Sequence, residues 1–316
     1  MPTAAALTLA IPYYAGKPYL RQAVESVLHQ RDSRWQLVVC DDGGDPDGGV
    51  AELLAGYNDR RIRYIAPSGP SGMAANWNRC LEAGDTDLVA LPHADDELLP
   101  DYVGRMLTAA DRYADAAVLF CEARIIGPDG RPRFSFPDYC KRYFRPAAGR
   151  TVQLHGDAGL RAVMRADFIM CPTMCFRRSR LGGMRFDPRW RQVLDLDLIA
   201  RLLLAGETLV GVPDVLYDYR RHDGNATAAQ TQTLLRFHEE RALYDEVAQA
   251  AAVRGWAAAA AIARRGAIIR LNLGFCTLMD VLRGRWADAS RKVTLGSQLM
   301  ESSARSKTRG NGPTPI

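Results

Sequence analysis

No stretch of this sequence reaches the roughly 18 consecutive apolar residues that a helix needs to cross a bilayer, so a membrane-spanning helix is not expected. The N-terminal run MPTAAALTLAIPYY lacks the basic start and small-residue cleavage site of a signal peptide, and reads as the approach to a first strand. Clustered cysteines are missing too. The seven cysteines, Cys40, Cys80, Cys121, Cys140, Cys171, Cys175 and Cys276, are scattered through the apolar pattern, which argues against a zinc framework and for free thiols in a reducing compartment. Cys171 and Cys175 are the one near pair, and with no His or Cys beside them they read as core residues. A phosphate-cradling glycine loop with lysine is absent near the N-terminus, apart from the weak YYAGKPY. Residues 1–225 are slightly acidic and their aromatics do not follow a basic stripe, so nucleic acid is not an expected partner.

What is present suits a full core: 47% apolar and 24% charged residues over a length of 316, enough for one large domain or two modest ones. The net charge of +5 is unevenly placed. Residues 226–316 carry 13 Lys/Arg against 7 Asp/Glu, whereas residues 1–225 carry 28 against 29. The basic excess therefore belongs to the C-terminal segment, where it can draw the chain to an anionic surface.

Up to about residue 225, strand-like and helix-like segments alternate. ALTLAIPYY reads as a strand, and KPYLRQAVESVLHQ places Leu20, Ala23, Val24, Val27 and Leu28 at helical spacing. WQLVVCDDGGDPDGG is an apolar strand broken by acids and glycines, GVAELLAGY a helix, RIRYIA a short strand, SGMAANWNRCLEAG a helix stopped at Gly84, and TDLVALP another strand. Nearly all-apolar strands alternating with helices predict a mostly parallel sheet with helices on both faces. Ligands of such sheets lie beyond the carboxyl ends of the strands, so Pro12 to Tyr14, Asp41 with Asp42, and His93 to Asp96 are expected to share one site. Two bland readings stand beside this one. An acid at position 95 or 96 could cap a helix over ELLPDYV, and DDGGDPDGG could be a solvated turn.

The succession IPYY, VVCDDGGD, GPSGMAANWNRCLEAG, VALPHADDELLP, CPTMCFRRSRLGGMRFDPRW and VLDLDLIARLLLAG, closing on YDYRRHDGNAT, resembles the family 2 glycosyltransferases over roughly residues 7–227. The NWN and HxDD motifs resemble a branch in which a histidine replaces the first acid of the Asp-x-Asp motif. The resemblance implies a GT-A fold, Rossmann-like, and inverting sugar transfer from a nucleotide-diphosphate donor such as a UDP-, dTDP- or GDP-sugar. The acceptor would be a hydroxyl of a glycan, a lipid-linked compound or a small molecule, in cell-surface glycan biosynthesis. It also implies a divalent metal, Mn2+ or Mg2+, held chiefly by Asp95, with His222 as a second candidate ligand. Pro12, Tyr13, Asp41, Asp42, Asn76, His93 and Asp96 would bind the sugar donor, and Asp195 at the start of a helix would be the general base. Ala15 stands where the family usually has asparagine, and Leu194 where glutamate is more frequent. Arg220 or Arg221 is expected to neutralise phosphate, and Arg177 and Arg178 to divide between a structural and an acceptor-side role. Pro132 to Gly149, dense in aromatics and basic residues, reads as either an acceptor-contacting segment or a flap over the core.

The expected organisation is a catalytic domain over 1–227, a helical region over 228–300 and a disordered tail over 301–316. Arg264, Arg265 and Arg270 among Ile262, Ile268, Ile269 and Leu271 could form a basic amphipathic surface for an anionic membrane, or the same apolar residues could pack on the catalytic domain. The expected location is the cytoplasm, at the inner face of the membrane where such contact forms. Competing functions are a nucleotidyltransferase or phosphohydrolase on a similar sheet, and a catalytically silent sugar-nucleotide binding module.

Overall fold

A computed structural model describes residues 4–43, 49–136, 139, 143–146, 149–222 and 233–309, with side chains to residue 297. The first apolar runs become four parallel strands: β1 (Leu7–Tyr13), β2 (Trp35–Asp41), β3 (Ile62–Ile65) and β4 (Leu88–Ala90). β1 lies between β2 and β4, and β3 flanks β2. Every residue of β2 is buried, and so is all of β1 except the half-buried Pro12, as a sheet covered on both faces demands. Crossovers are supplied by helices α1 (Lys17–Leu28), α2 (Gly49–Ala55) and α3 (Met73–Glu82).

Leu20, Ala23, Val24 and Val27 form the buried stripe of α1, and Pro18 in its first turn sacrifices no helical hydrogen bond. After α3 the chain turns at Gly84, whose φ of +77° is reserved for glycine. A Cβ there would also lie 2.4 Å from Thr8 Oγ1. Thr8 in turn bonds Thr86 at 2.6 Å and accepts from Gln36 at 2.9 Å, so the buried polar groups at the amino ends of the strands are paired.

The simple alternation ends after β4. The chain forms β5 (Glu97–Leu98), α4 (Tyr102–Arg112), β6 (Ala116–Ile126), β7 (Val152–Leu154), α5 (Gly156–Arg165), β8 (Cys175–Arg177), α6 (Leu194–Leu204) and β9 (Thr208–Arg220). Among the described residues nine strands make one sheet in the order β3-β2-β1-β4-β8-β6-β9-β5, with β7 on β9. β8 runs antiparallel to both β4 and β6, while β6 and β9 run parallel to each other. The sheet is therefore mostly parallel, with β5, β7 and β8 reversed. Residues following Asp96 form β5, and α4 starts only after Asp101, so capping of a helix does not account for the acid pair.

The chain divides into two compact units, residues 1–163 with 167–222, and residues 223–316 with 164–166. The expected boundary at 227 falls outside the described residues. The second unit contains α7 (Leu235–Val253), α8 (Ala257–Arg265), α9 (Ala267–Leu282) and α10 (Trp286–Arg309). Helical backbone thus continues through nine residues of the stretch expected to be disordered, and 310–316 lie outside the described residues. No described helix is long and apolar enough to cross a membrane.

Candidate active site

At the carboxyl ends of β1 and β2 the side chains are held by a dense set of bonds. Asp41, 2% exposed, accepts the Tyr64 hydroxyl on Oδ2 at 2.8 Å and the Gly43 N–H on Oδ1 at 2.9 Å. Asp42 accepts the Gly72 N–H at 2.8 Å and pairs with Arg79 at 2.8 Å, which ties the start of α3 to the end of β2. Asn76 spends its amide hydrogens on the carbonyls of Tyr13 at 3.2 Å and Cys40 at 3.0 Å. It clamps the ends of β1 and β2. The expectation for Tyr13 is corrected: its ring is buried in the core, and Tyr14, 69% exposed, is the aromatic that faces out.

The turn after β4 carries His93, Asp95 and Asp96, each offering a ligand atom within 4.8 Å of the others. This turn is set by β9. The Tyr217 hydroxyl donates to Asp96 Oδ2 at 3.0 Å and accepts the His93 N–H at 3.0 Å, and the Arg220 N–H donates to Asp96 Oδ1 at 2.7 Å. The Arg220 guanidinium, in a residue 1% exposed, donates to the Asp95 carbonyl at 2.7 Å, Gln22 Oε1 at 2.8 Å, and the carbonyls of Gly127 at 3.2 Å and Pro128 at 3.3 Å. It also pairs with Glu97 and lies over the Tyr19 ring. Arg220 is thus a buried strut, not the phosphate-facing cation that was expected, and Arg221, half-buried over the Tyr219 ring, is the more accessible of the two.

His222 Nε2 lies 3.0 Å from Asp95 Oδ2, with its ring stacked on Tyr19 at 5.1 Å. His93 rests against Trp77 at 5.5 Å, and its Nε2 is buried without a hydrogen-bond partner. Burial lowers the His93 pKa, opposed by the charge of Asp95. Burial, and then the neighbouring Asp95 charge, raise the carboxyl pKa of Asp96 well above the ordinary range, against the bonds from Arg220 and Tyr217. The neighbouring carboxylates of Asp95 and Asp96, with the His222 imidazole against Asp95, form a donor set that fits a divalent cation, which would relieve the repulsion between the two acids.

Asp195 stands in the first turn of α6, half-buried, with Oδ1 accepting the Leu196 N–H at 2.9 Å. Burial first, then the carboxylates of Asp195, Asp167 and Asp96, push the buried Cys171 thiol well above its usual pKa. Asp167 was not foreseen. Its Oδ1 is buried without a partner, and a single acid in RADFIM offers no pattern to find it by. Asp197 points into structure, bonded to Arg201 at 2.6 Å.

Arg177 and Arg178 belong elsewhere. Arg177 pairs with Leu88 at the amino end of β4 and donates to the carbonyls of Ala110 and Ala116, and Arg178 donates to those of Glu82 and Gly84. Both are ties at the end of the sheet opposite the acids, which corrects the expected acceptor-side role. The six described cysteines are free thiols, five of them buried.

Within the aromatic segment, a pocket of about 320 Å³ is lined by Phe120, Glu122, Phe134, Tyr139, Arg145 and Phe168, among others. Residues 137–138, 140–142 and 147–148 of that segment lie outside the described residues. Ile125 and Ile126, at the end of the same strand β6, pair with Tyr219 and Arg220 of β9, so strand pairing links the pocket's floor to the acid turn.

Residues 8–178 match the profile of Glycosyl transferase family 2. The chain is 28% identical over 230 residues to the uncharacterized protein MT1568 of Mycobacterium tuberculosis (strain CDC 1551 / Oshkosh), covering 68% of this chain and 67% of that one. It is 25% identical over 218 residues to TuaG of Bacillus subtilis (strain 168), named as a candidate teichuronic acid biosynthesis glycosyltransferase, covering 68% and 78% of the two chains. The fold is similar to that of S. aureus TarS 1-349 solved in complex with UDP-GlcNAc, with a TM-score of 0.60 at 15% identity, over 76% of this chain and 66% of that one. The ordered motifs, the mostly parallel sheet with its acids at the strand ends, and a profile match across more than half of the sequence agree: this chain belongs to glycosyl transferase family 2.

Proposed function

We propose that this protein is an inverting glycosyltransferase that moves a sugar from a nucleoside diphosphate to a hydroxyl acceptor in cell-surface polysaccharide biosynthesis. The observation that supports the reading is the cluster of His93, Asp95 and Asp96 at the carboxyl end of β4, with ligand atoms within 4.8 Å of one another. The naming of TuaG and the UDP-GlcNAc bound to TarS support the class of reaction and of sugar donor.

In this reading the nucleoside lies beside Pro12 and Asp41, at the carboxyl ends of β1 and β2. His93 Nε2 meets a hydroxyl of the sugar donor. Asp95, with Asp96 and His222 beside it, would hold a divalent cation, whose positive charge would stabilise the leaving diphosphate. Asp195 takes the proton of the acceptor hydroxyl as its oxygen attacks the anomeric carbon; the bond from that carbon to the diphosphate oxygen breaks, and the electron pair leaves with the diphosphate. The aromatic pocket along β6 receives the acceptor, its rings offering faces on which sugar rings stack.

The test is NMR of the first-formed anomer when the enzyme, with Mn2+, transfers the sugar to an acceptor or slowly to water. Inversion with no sugar attached to the protein is expected. Retention, or cleavage between the phosphorus atoms in place of the anomeric bond, overturns the assignment.

A further inference from the structure

The C-terminal unit presents an apolar face that its own packing leaves uncovered. In α9 the buried residues Ile269, Leu273 and Asp280 mark the inward side, and Lys292 of α10 pairs with Asp280 there. At 100° per residue, Leu271, Phe275, Leu278 and Leu282 fall together on the opposite side. Leu271 is 64% exposed, Leu278 55% and Leu282 70%. Across the turn at Arg283–Arg285, Trp286 opens α10 with 68% of its surface exposed. The sequence reading grouped Ile269 with the outward face; the structure buries it and shifts the face to the three leucines and Trp286.

Charge indicates what covers this face. Arg264, Arg265, Arg270, Arg283 and Arg285 make no side-chain ion pair among the described residues. The acids between residues 254 and 297, Asp280 and Asp288, are engaged by Lys292 and Arg291. The exposed Arg283 and Arg285 lie in the turn between Leu282 and Trp286, and guanidinium groups beside such a leucine and tryptophan stripe complement a surface that is apolar below and anionic above. We propose that this face docks flat on an anionic lipid surface, with Leu271, Leu278, Leu282 and Trp286 at the acyl boundary and the arginines at the phosphates. A second copy of the chain would have to bring acids to meet these arginines, and this face has none to spare. The proposal stands apart from the transfer chemistry, because binding is read without turnover.

The full-length protein is sedimented with vesicles of phosphatidylcholine, and with vesicles in which phosphatidylglycerol is included. Binding is expected only to the second kind, weakening with salt, with a blue shift of tryptophan emission that Trp286→Phe removes. Leu278→Glu with Leu282→Glu should lower the affinity tenfold or more. Arg283→Ser with Arg285→Ser should lower it by about fivefold per arginine, the worth of one basic residue near an anionic surface. These side chains are exposed, so unchanged circular dichroism and thermal transitions confirm that the variants fold. Equal binding to neutral vesicles overturns the proposal, as does unchanged binding by the leucine variant. So does a dimer of the wild type that the leucine variant splits, since the face would then join two copies.

Discussion

Replacing Arg220 with methionine separates a buried strut from a phosphate-binding cation, because the two roles predict opposite outcomes in the free protein. Arg220 is 1% exposed and donates to four acceptors at 2.7–3.3 Å, besides its pair with Glu97. Methionine fills much of the volume but removes the donor to the carbonyls of Asp95 and Pro128 and leaves Gly127 with the Gly130 N–H alone. Breaking a buried ion pair costs about 3–5 kcal/mol. The Glu97 side chain is 34% exposed and can regain water, which moves the expected loss to the lower end, about 3 kcal/mol. Arg221→Met, which removes a half-buried stack on Tyr219, should cost about 1 kcal/mol or less. Urea unfolding followed by tryptophan emission measures both. A Trp256→Phe, Trp286→Phe background restricts the signal to Trp35, Trp77 and Trp190 of the catalytic unit. Because Arg220 holds the Asp95 carbonyl, the methionine variant should also bind nucleoside diphosphate more weakly in Mn2+. Equal stability of the two variants, or a loss below about 1 kcal/mol for Arg220→Met, would refute the reasoning.

Asp195→Asn keeps shape and hydrogen bonding but removes basicity, so binding of the sugar donor should survive while transfer falls by roughly 100-fold or more; near-normal transfer would remove Asp195 from the role of base. His93→Ala should weaken the affinity for the sugar donor by about three- to tenfold, the worth of one neutral hydrogen bond, and keep the metal requirement, as calorimetry with and without chelator will show. Gly84→Ala should destabilise the protein by about 2–4 kcal/mol in the same urea assay, from a left-handed backbone and a clash with Thr8 together. A cost below about 1 kcal/mol would mean that the turn relaxes.

The local parts of the fold were legible because their signals are local. The apolar period of α1, the continuous apolar runs of β1 and β2 and the glycine stop of α3 each depend on residues within a dozen positions. The acid turn was legible for the same reason, since paired aspartates directly follow an apolar strand. What escaped was set by partners far along the chain. Arg220 and Arg221 look alike in sequence, and only the meeting of β9 with the turn 125 residues earlier buries one of them. Arg177 matched a motif, but the reversal of β8 between β4 and β6 carries it to the far end of the sheet. Tyr13 and Tyr14 are adjacent aromatics on opposite sides of a strand end, and their order in sequence does not say which one enters the core.

The central claim, a carboxylate turn that binds a nucleoside diphosphate through a divalent cation, is tested most directly by calorimetry of UDP and other nucleoside diphosphates. Titrations would compare the wild type and Asp95→Asn, each with Mn2+ and with chelator. The wild type should bind one of these ligands at least tenfold more tightly in Mn2+ than in chelator, and Asp95→Asn should lose that difference while keeping its thermal transition. Equal affinity of the wild type in metal and in chelator, or an undiminished metal effect in Asp95→Asn, would contradict the account.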